Sequence, residues 1–278
     1  MNLSKTVKKI VTLFFFIIPI ILFAQDSTET KSRRQDRKSE KRERISAMIK
    51  QEEEGILVYH KQNAFGLQLR TDGYGIFYEI GRMKTPRFTN LYLIEFTEIK
   101  HPKEERTQSD GFFNNSYIYG KVNNFYQLKL GFGQQYILGQ KGNKNGIAVM
   151  GIYQGGLSMG LLRPYYINIT EPGVGQRDIK YQSADSTLFL GSAVNGSSGL
   201  GKGWDELSLK PGAFVKTSLR FDFGRYNEMV QAVQIGISLE AFSDKIEIMA
   251  PNIGNKPGPE AKQLFFQGHI AFLFGRRK

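Results

Sequence analysis

The sequence predicts an all-β protein: a closed antiparallel transmembrane β-barrel of about eight strands, preceded by a short helical segment. Three observations carry this. Eight stretches after Gly55 alternate large apolar residues with small or polar ones at period two. Their connections alternate between short and long. The faces opposite the apolar ones are rich in glycine as well as charge, and glycine on a water-exposed sheet surface is a cost without return, whereas in a narrow lumen it leaves room for neighbours.

Residues 1–24 read as a signal peptide. Lys5, Lys8 and Lys9 precede an apolar run from Ile10 to Phe23, and Ala24 offers a small residue for cleavage. The rival reading, a membrane anchor, needs ~20 residues to span hydrocarbon as a helix, and this run has fourteen. Cysteine is absent, which excludes disulfides and a lipid anchor on an N-terminal cysteine. No second long apolar run follows, so a helical membrane protein is excluded. An exported soluble β-protein and an outer-membrane barrel remain.

Residues 25–55 form a basic segment, expected to be partly helical and to lie in the periplasm. The formal net charge of +12 falls to +9 without the three signal lysines, and +6 of that sits in residues 31–50. The rest of the chain is close to balanced, so a uniform basic surface for nucleic acid is not expected, and export excludes that partner further. Three readings of the segment stay open: a solvated tether, a helix on anionic lipid head groups, and a docking helix for an envelope partner. The docking helix would use Arg33, Arg34, Arg37, Arg42 and Arg44 beside a stripe of Ile45, Met48 and Ile49. Glu52, Glu53 and Glu54 follow directly and oppose a simple lipid-binding patch.

The barrel is placed at residues 56–278. In the first strand Phe65, Leu67 and Leu69 oppose Gly66, Gln68 and Arg70. The second sets Tyr74, Ile76, Tyr78 and Ile80 against Gly75, Phe77, Glu79 and Gly81. The third sets Phe88, Tyr92, Ile94 and Phe96 against Leu91, Leu93, Glu95 and Thr97. In the fourth, Tyr126, Leu128, Leu130 and Phe132 oppose Gln127, Lys129, Gly131 and Gly133. The fifth is expected to run from Gly146 to Ile169 with a less regular pattern. The sixth opposes Val215, Leu219, Phe221 and Phe223 to Lys216, Ser218, Arg220 and Asp222, and the seventh opposes Val233, Ile235, Ile237 and Leu239 to Gln234, Gly236, Ser238 and Glu240. The eighth, LFFQGHIAFLF, sets Leu264, Phe266, Ile270, Phe272 and Phe274 against Phe265, Gln267, His269, Ala271 and Leu273. A ring of ten strands stays possible, and FNNSYIYGKV is either a further strand or an extension above the membrane.

The long connections are expected near 100–123, 170–208 and 243–263, and a loop of about five residues, Met83–Arg87, is expected between the second and third strands. With the N-terminus periplasmic, the long loops fall outside and both termini inside, the arrangement of outer-membrane barrels. Aromatics near strand ends, such as Tyr117, Tyr119, Phe125, Tyr126, Tyr165 and Tyr166, suit interfacial girdles. The competing soluble sandwich would bury the apolar faces instead.

Five stretches resemble small outer-membrane β-barrel proteins of the Bacteroidota, in the PorT-like and OmpA-like barrel grouping: KQNAFGLQLRTDGYG, EFTEIKHPKEER, SYIYGKVNNFYQLKLGFGQQ, KGNKNGIAV and GGLSMGLLRPYYI. The resemblance implies an outer-membrane barrel and no reaction. PorT itself belongs to a protein-secretion apparatus, and no functional residue is carried over from it. Such barrels often end on an aromatic residue, whereas GRRK follows Phe274 here.

Chemistry concentrates on the inward faces. Arg70, Lys129, Lys216 and Arg220 would share the lumen with Glu79, Glu95, Asp222 and Glu240. Four charges of each sign in a confined space predict an ion-pair network that plugs the barrel, because each charge unpaired would be expensive. The alternative is a gated ion or proton path. Histidine is sparse, at His60, His101 and His269; only His101 with Ser109 and Asp110 offers a hydrolase-like set, on one loop with nothing to orient it. NGSSGLGKGWDE lacks the phosphate-loop order and reads as a loop, with Trp204 as an anchor. No Cys/His/Asp cluster has metal-ligand spacing, and no cofactor is called for. The function expected is a non-enzymatic outer-membrane barrel with a plugged lumen, a structural or accessory subunit of an envelope complex for secretion or assembly. The alternative is a lipid-modifying enzyme, a lipid A acyl hydrolase or transferase. The partners expected are outer-membrane lipid and a periplasmic or outer-membrane protein.

Overall fold

The computed structural model describes residues 38–43, 46, 59–107, 116–142, 145–182, 186–191, 194–253 and 256–278. The chain divides into two compact units, Met1–Lys50 and Gln51–Lys278. In the first, the described residues are helical and exposed, Arg42 among them. The signal peptide and Arg33, Arg34, Arg37, Arg44, Ile45, Met48 and Ile49 lie outside the described residues, as do Ser109 and Asp110.

The second unit is built on eight long strands: β1 (Lys61–Arg70), β2 (Gly73–Thr85), β3 (Phe88–Ile99), β6 (Asn123–Gly139), β7 (Ala148–Pro164), β11 (Ser208–Asp222), β12 (Met229–Ile246) and β15 (Lys262–Arg277). Each pairs antiparallel with its neighbours in this order, and β15 closes on β1. Short strands decorate the connections: β4 (Arg106–Thr107) with β5 (Tyr117–Ile118), β8 (Tyr166–Glu171) with β9 (Gly175–Lys180) and β10 (Val194–Ser197), and β13 (Asn252–Ile253) with β14 (Lys256–Pro257). FNNSYIYGKV therefore adds no wall strand. Among the described residues its Tyr117–Ile118 pairs with Arg106–Thr107 and with no wall strand, and the ring holds eight strands.

The register sets the girth. One row of paired residues runs Lys61, Arg82, Asn90, Gln134, Tyr153, Thr217, Ile237, Gly268. Gly268 O then accepts a hydrogen bond from Thr71 N, ten residues along the chain from Lys61 and just past the end of β1. A stagger of that size over eight strands tilts them steeply and gives a lumen just wide enough for side chains to fill.

The alternating faces match two different surroundings. Phe65, Leu67, Leu69, Ile76, Ile94, Leu130, Leu157, Ile235, Phe266 and Phe272 point outward and are exposed, while Gln68, Glu79, Glu95, Lys129, Lys216, Arg220 and Glu240 point inward and are buried. That inversion of a soluble core defines a transmembrane barrel whose apolar belt meets lipid. Among the described residues no helix is long and apolar enough to cross a membrane. Two glycines explain how large rings share the lumen with charges. A Cβ on Gly66 would stand 2.2 Å from the tip of Phe77, and one on Gly131 would stand 2.7 Å from Phe214. Apolar clusters close both ends of the lumen, with Phe125, Phe242, Ile246 and Met249 beneath the long loops and Tyr59, Ile137 and Met150 at the end where β1 begins.

Three details differ from expectation. The β2–β3 connection is a two-residue turn, because both strands extend further and Thr85 Oγ1 accepts the Phe88 N–H at 3.1 Å. The fifth wall strand stops at Pro164, which has no N–H to continue the ladder. The chain beyond it builds the separate β10–β8–β9 sheet over its own core of Ile167, Ile169, Ile179, Phe189 and Val194. Tyr126, expected in the open belt, is buried under Trp204 from the same connection.

Replacing the outward Ile235 by Arg is expected to lower barrel stability by about 2–4 kcal/mol, whereas Arg at Met229, near the strand end, is expected to cost about 0–1. Equilibrium refolding into lipid vesicles measures both. Equal costs at the two depths would show that these residues do not face lipid.

Candidate functional site: the luminal charge network

The eight charged residues predicted on the inward faces are all buried, and they fall into three tiers. The upper tier joins five strands. Glu95 on β3 receives Lys129 Nζ from β6 at 3.0 Å, Lys216 Nζ from β11 at 2.9 Å and Gln68 Nε2 from β1 at 2.8 Å. Arg70 on β1 lies 2.8 Å from Glu240 on β12 and 3.5 Å from Glu95. Lys129 also contacts Glu240, whose second oxygen accepts from Gln127 Nε2 at 2.7 Å. The cations have aromatic neighbours as well: Lys216 sits 5.2 Å from the Phe77 ring centre and Lys129 sits 5.6 Å from that of Phe214.

The middle tier centres on Arg220, which is fully buried. Its guanidinium pairs with Glu79 and donates to Gln135 Oε1 at 3.1 Å and Gln234 Oε1 at 2.7 Å. Glu79 accepts in turn from Gln154 at 3.0 Å, and Gln135 donates to the Tyr59 hydroxyl at 3.0 Å. Phe77 and Leu93, each one inward step along its strand, separate this tier from the upper one. In the lowest tier Arg277 pairs with Asp222 and donates to Gln62 Oε1 at 2.9 Å, with its guanidinium 5.0 Å from the Tyr59 ring centre. Lys141 approaches Asp222 at 3.7 Å.

The structure thus brings together Arg70, Glu95, Lys129, Lys216 and Glu240; it pairs Glu79 with Arg220 and sets Asp222 apart with Arg277. Sequence reasoning missed Arg277, Lys141 and Asp72, and it placed Gln68, Gln127 and Gln234 inward without assigning them to the network. Parity would have found Arg277, since 273, 275 and 277 continue the inward face of β15. Asp72 and Lys141 lie in turns, where parity gives no direction. Asp72 lies 3.4 Å from Arg70 and accepts from Gln267. His269 is inward and buried, and among the described residues neither ring nitrogen has a hydrogen-bond partner.

What this arrangement can do follows from its chemistry. In a space of low dielectric an isolated charge is prohibitive, and here carboxylates are bridged by cations from several strands while amides take the remaining lone pairs. The lumen is a packed polar core, and it ties strands that are not neighbours in the ring. Among the described residues no group of His, Cys, Asp and Glu could hold a metal ion. His101, outside the lumen, accepts the Lys103 N–H on Nδ1 at 3.1 Å.

Above the wall, the β8–β9–β10 sheet carries a polar face. Asn168 Nδ2 and Ser198 Oγ each donate to Asp178 Oδ1 at 2.8 Å, and Lys202 joins its other oxygen. The Lys202 hydrogen bond is the main cause that holds the Asp178 carboxyl below the usual carboxylate range. This sheet is pinned to the barrel by Trp204, whose ring stacks on Tyr126 at 5.8 Å and lies 4.8 Å from the Arg163 guanidinium.

Ring closure, an outward apolar belt and a polar packed lumen place the protein among the small transmembrane β-barrels with filled interiors. Solved structures similar to it include Neisserial surface protein A, at 9% identity and a TM-score of 0.35 over 79% of this chain and 97% of that one. Ail, the attachment invasion locus protein of Yersinia pestis, in complex with the heparin analogue sucrose octasulfate, is similar at 9% identity and a TM-score of 0.36, over 80% of this chain and 100% of that one. No family model matches the chain, and no curated protein matches it in sequence.

Replacing Arg220 by Met leaves Glu79 buried without its cation and is expected to cost about 3–5 kcal/mol. The double variant Arg220→Met/Glu79→Gln is expected to recover part of that loss in a double-mutant cycle. Strictly additive costs would mean that the pair is not coupled.

Proposed function

We propose that the protein is a non-enzymatic outer-membrane barrel of the PorT-like and OmpA-like grouping, acting as a structural or accessory subunit of a cell-envelope secretion or assembly complex. The observation that carries this reading is the filled lumen. Three tiers of paired charges, capped by apolar clusters at both ends, suit a rigid wall element and not a general porin. Both ends of the barrel chain lie at one rim, since β1 begins where β15 finishes, with Gln62 paired to Arg277. In this reading that rim faces the periplasm, and the basic segment 25–55 hangs there as the docking element, with surface charge supplying association rate and specificity.

The mature protein is expected to fractionate with the outer membrane and to migrate differently in SDS gels when unheated. Recovery in the soluble periplasm would refute the placement. Deleting residues 27–50 is expected to leave insertion intact and to abolish co-purification of an envelope partner from detergent-solubilised membrane. Crosslinkers at Arg37 and Met48 should capture that partner, and failure of both, with wild-type behaviour of the deletion, would reduce the segment to a tether. A shift in lipid A acylation in a strain lacking the gene, restored by the wild type but not by His101→Ala, would replace this reading with that of a lipid-modifying enzyme.

A further inference from the structure

The outer wall is uneven. Around the ring most of its outward residues are large and apolar, as at Leu67, Ile76, Ile94, Leu130, Leu157 and Phe266. One paired row departs from this on β3, β6, β7 and β11, where it reads Asn90, Gln134, Tyr153, Thr217. Gln134 Nε2 donates to Asn90 Oδ1 at 3.2 Å, and the Tyr153 hydroxyl donates to Gln134 Oε1. Alongside this row the outward position between Val149 and Tyr153 is Gly151. A groove of about 610 Å³ opens there, bordered by Phe88, Tyr136, Gly151, Thr217, Leu219 and Ile235. Space is available at its floor, because a Cβ on Gly151 would meet only Leu138, at 3.5 Å.

The groove has a polarity. Phe88 begins β3, so its end of the groove lies at the rim that carries the chain ends. Four exposed cations cluster on that rim: Lys61 and Arg82, which are paired neighbours, Lys84 on the same outward face, and Arg87 in the turn before Phe88. Among the described residues none of the four forms an ion pair with a carboxylate. Asn90, one outward step above Phe88, spends Oδ1 on Gln134 and keeps its Nδ2 as a donor just inside the rim. The cations stand at the rim, Phe88 opens the apolar trough next to Arg87, and Asn90 flanks the trough one outward step deeper.

We propose that this groove binds one anionic glycerophospholipid of the leaflet nearest the chain ends. The phosphate meets Arg82, Lys84 and Arg87, the ester carbonyls face Asn90 Nδ2, and one acyl chain lies in the trough from Phe88 towards Ile235. Cations at the rim end of an apolar trough select a lipid with a negative head group. A second copy of the chain is disfavoured on this face, because a two-fold contact would set the same four cations against each other. The site requires a barrel in a bilayer and does not depend on an accessory role, so each can fail without the other.

The test uses the full-length protein in detergent, with phosphatidylglycerol or phosphatidylethanolamine added, read by native mass spectrometry. One phosphatidylglycerol adduct should survive activation that strips other lipid, with phosphatidylethanolamine held more weakly. Gly151→Leu, which fills the trough, should reduce the adduct by about tenfold or more. The triple variant Arg82→Gln/Lys84→Gln/Arg87→Gln, which leaves every wall strand intact, should abolish the preference between the two head groups. Heat-shifted migration on gels reports that each variant is folded, and if Gly151→Leu does not fold the triple variant decides. Equal retention by folded Gly151→Leu, absence of a head-group preference in the wild type, or a protein dimer as the main species would each overturn the proposal.

Discussion

Glu95 is the point on which the interior depends. It sits on β3 and receives charge or hydrogen bonds from β1, β6 and β11, three strands that reach it from across the ring as well as beside it. Backbone ladders hold each strand only to its two neighbours, which leaves the ring free to flatten. Bridges through the lumen resist that, and they do so where dielectric screening is weak. The same low dielectric explains why glutamines accompany the charges: Gln68, Gln127, Gln135, Gln154 and Gln234 take lone pairs and protons that the ion pairs leave over.

Everything outside the lumen obeys the opposite rule. The belt presents apolar side chains where there is no water to expel them from, and its exposure is the native state of the surface. The external sheet then returns to soluble-protein logic, with an apolar core between its strands and polar residues on its free face. Trp204 and Arg163 join these two regimes at the rim, where an aromatic ring and a guanidinium are each at home beside lipid and water. The trough at Gly151 is the place where the belt itself departs from uniform hydrocarbon.

How much was legible depended on whether a residue's surroundings repeat. Strand identity and the two faces could be read from residues such as Leu67–Gln68–Leu69–Arg70, because a period-two backbone shows every second side chain the same medium. Interruptions escaped that reading. Pro164 ended β7 earlier than its apolar texture suggested, since a missing N–H leaves no trace in hydropathy. Tyr126 has the parity of a lipid-facing residue and is covered by a connection whose path no local pattern encodes.

The chain by itself determined a β-barrel with polar residues inside, and it determined eight of the charges that share that interior. Those properties follow from local alternation and from the rule that a buried charge needs a partner. Only the tertiary structure decided which partner. Glu79 pairs with Arg220 and not with Lys129, and Asp222 with Arg277 and not with Arg220, because the stagger of ten residues around the ring sets the height at which each side chain enters the lumen. That stagger is a sum over eight strand pairings, and no single strand carries it. The groove at Gly151 arises in the same way, from residues on separate strands that the stagger brings side by side.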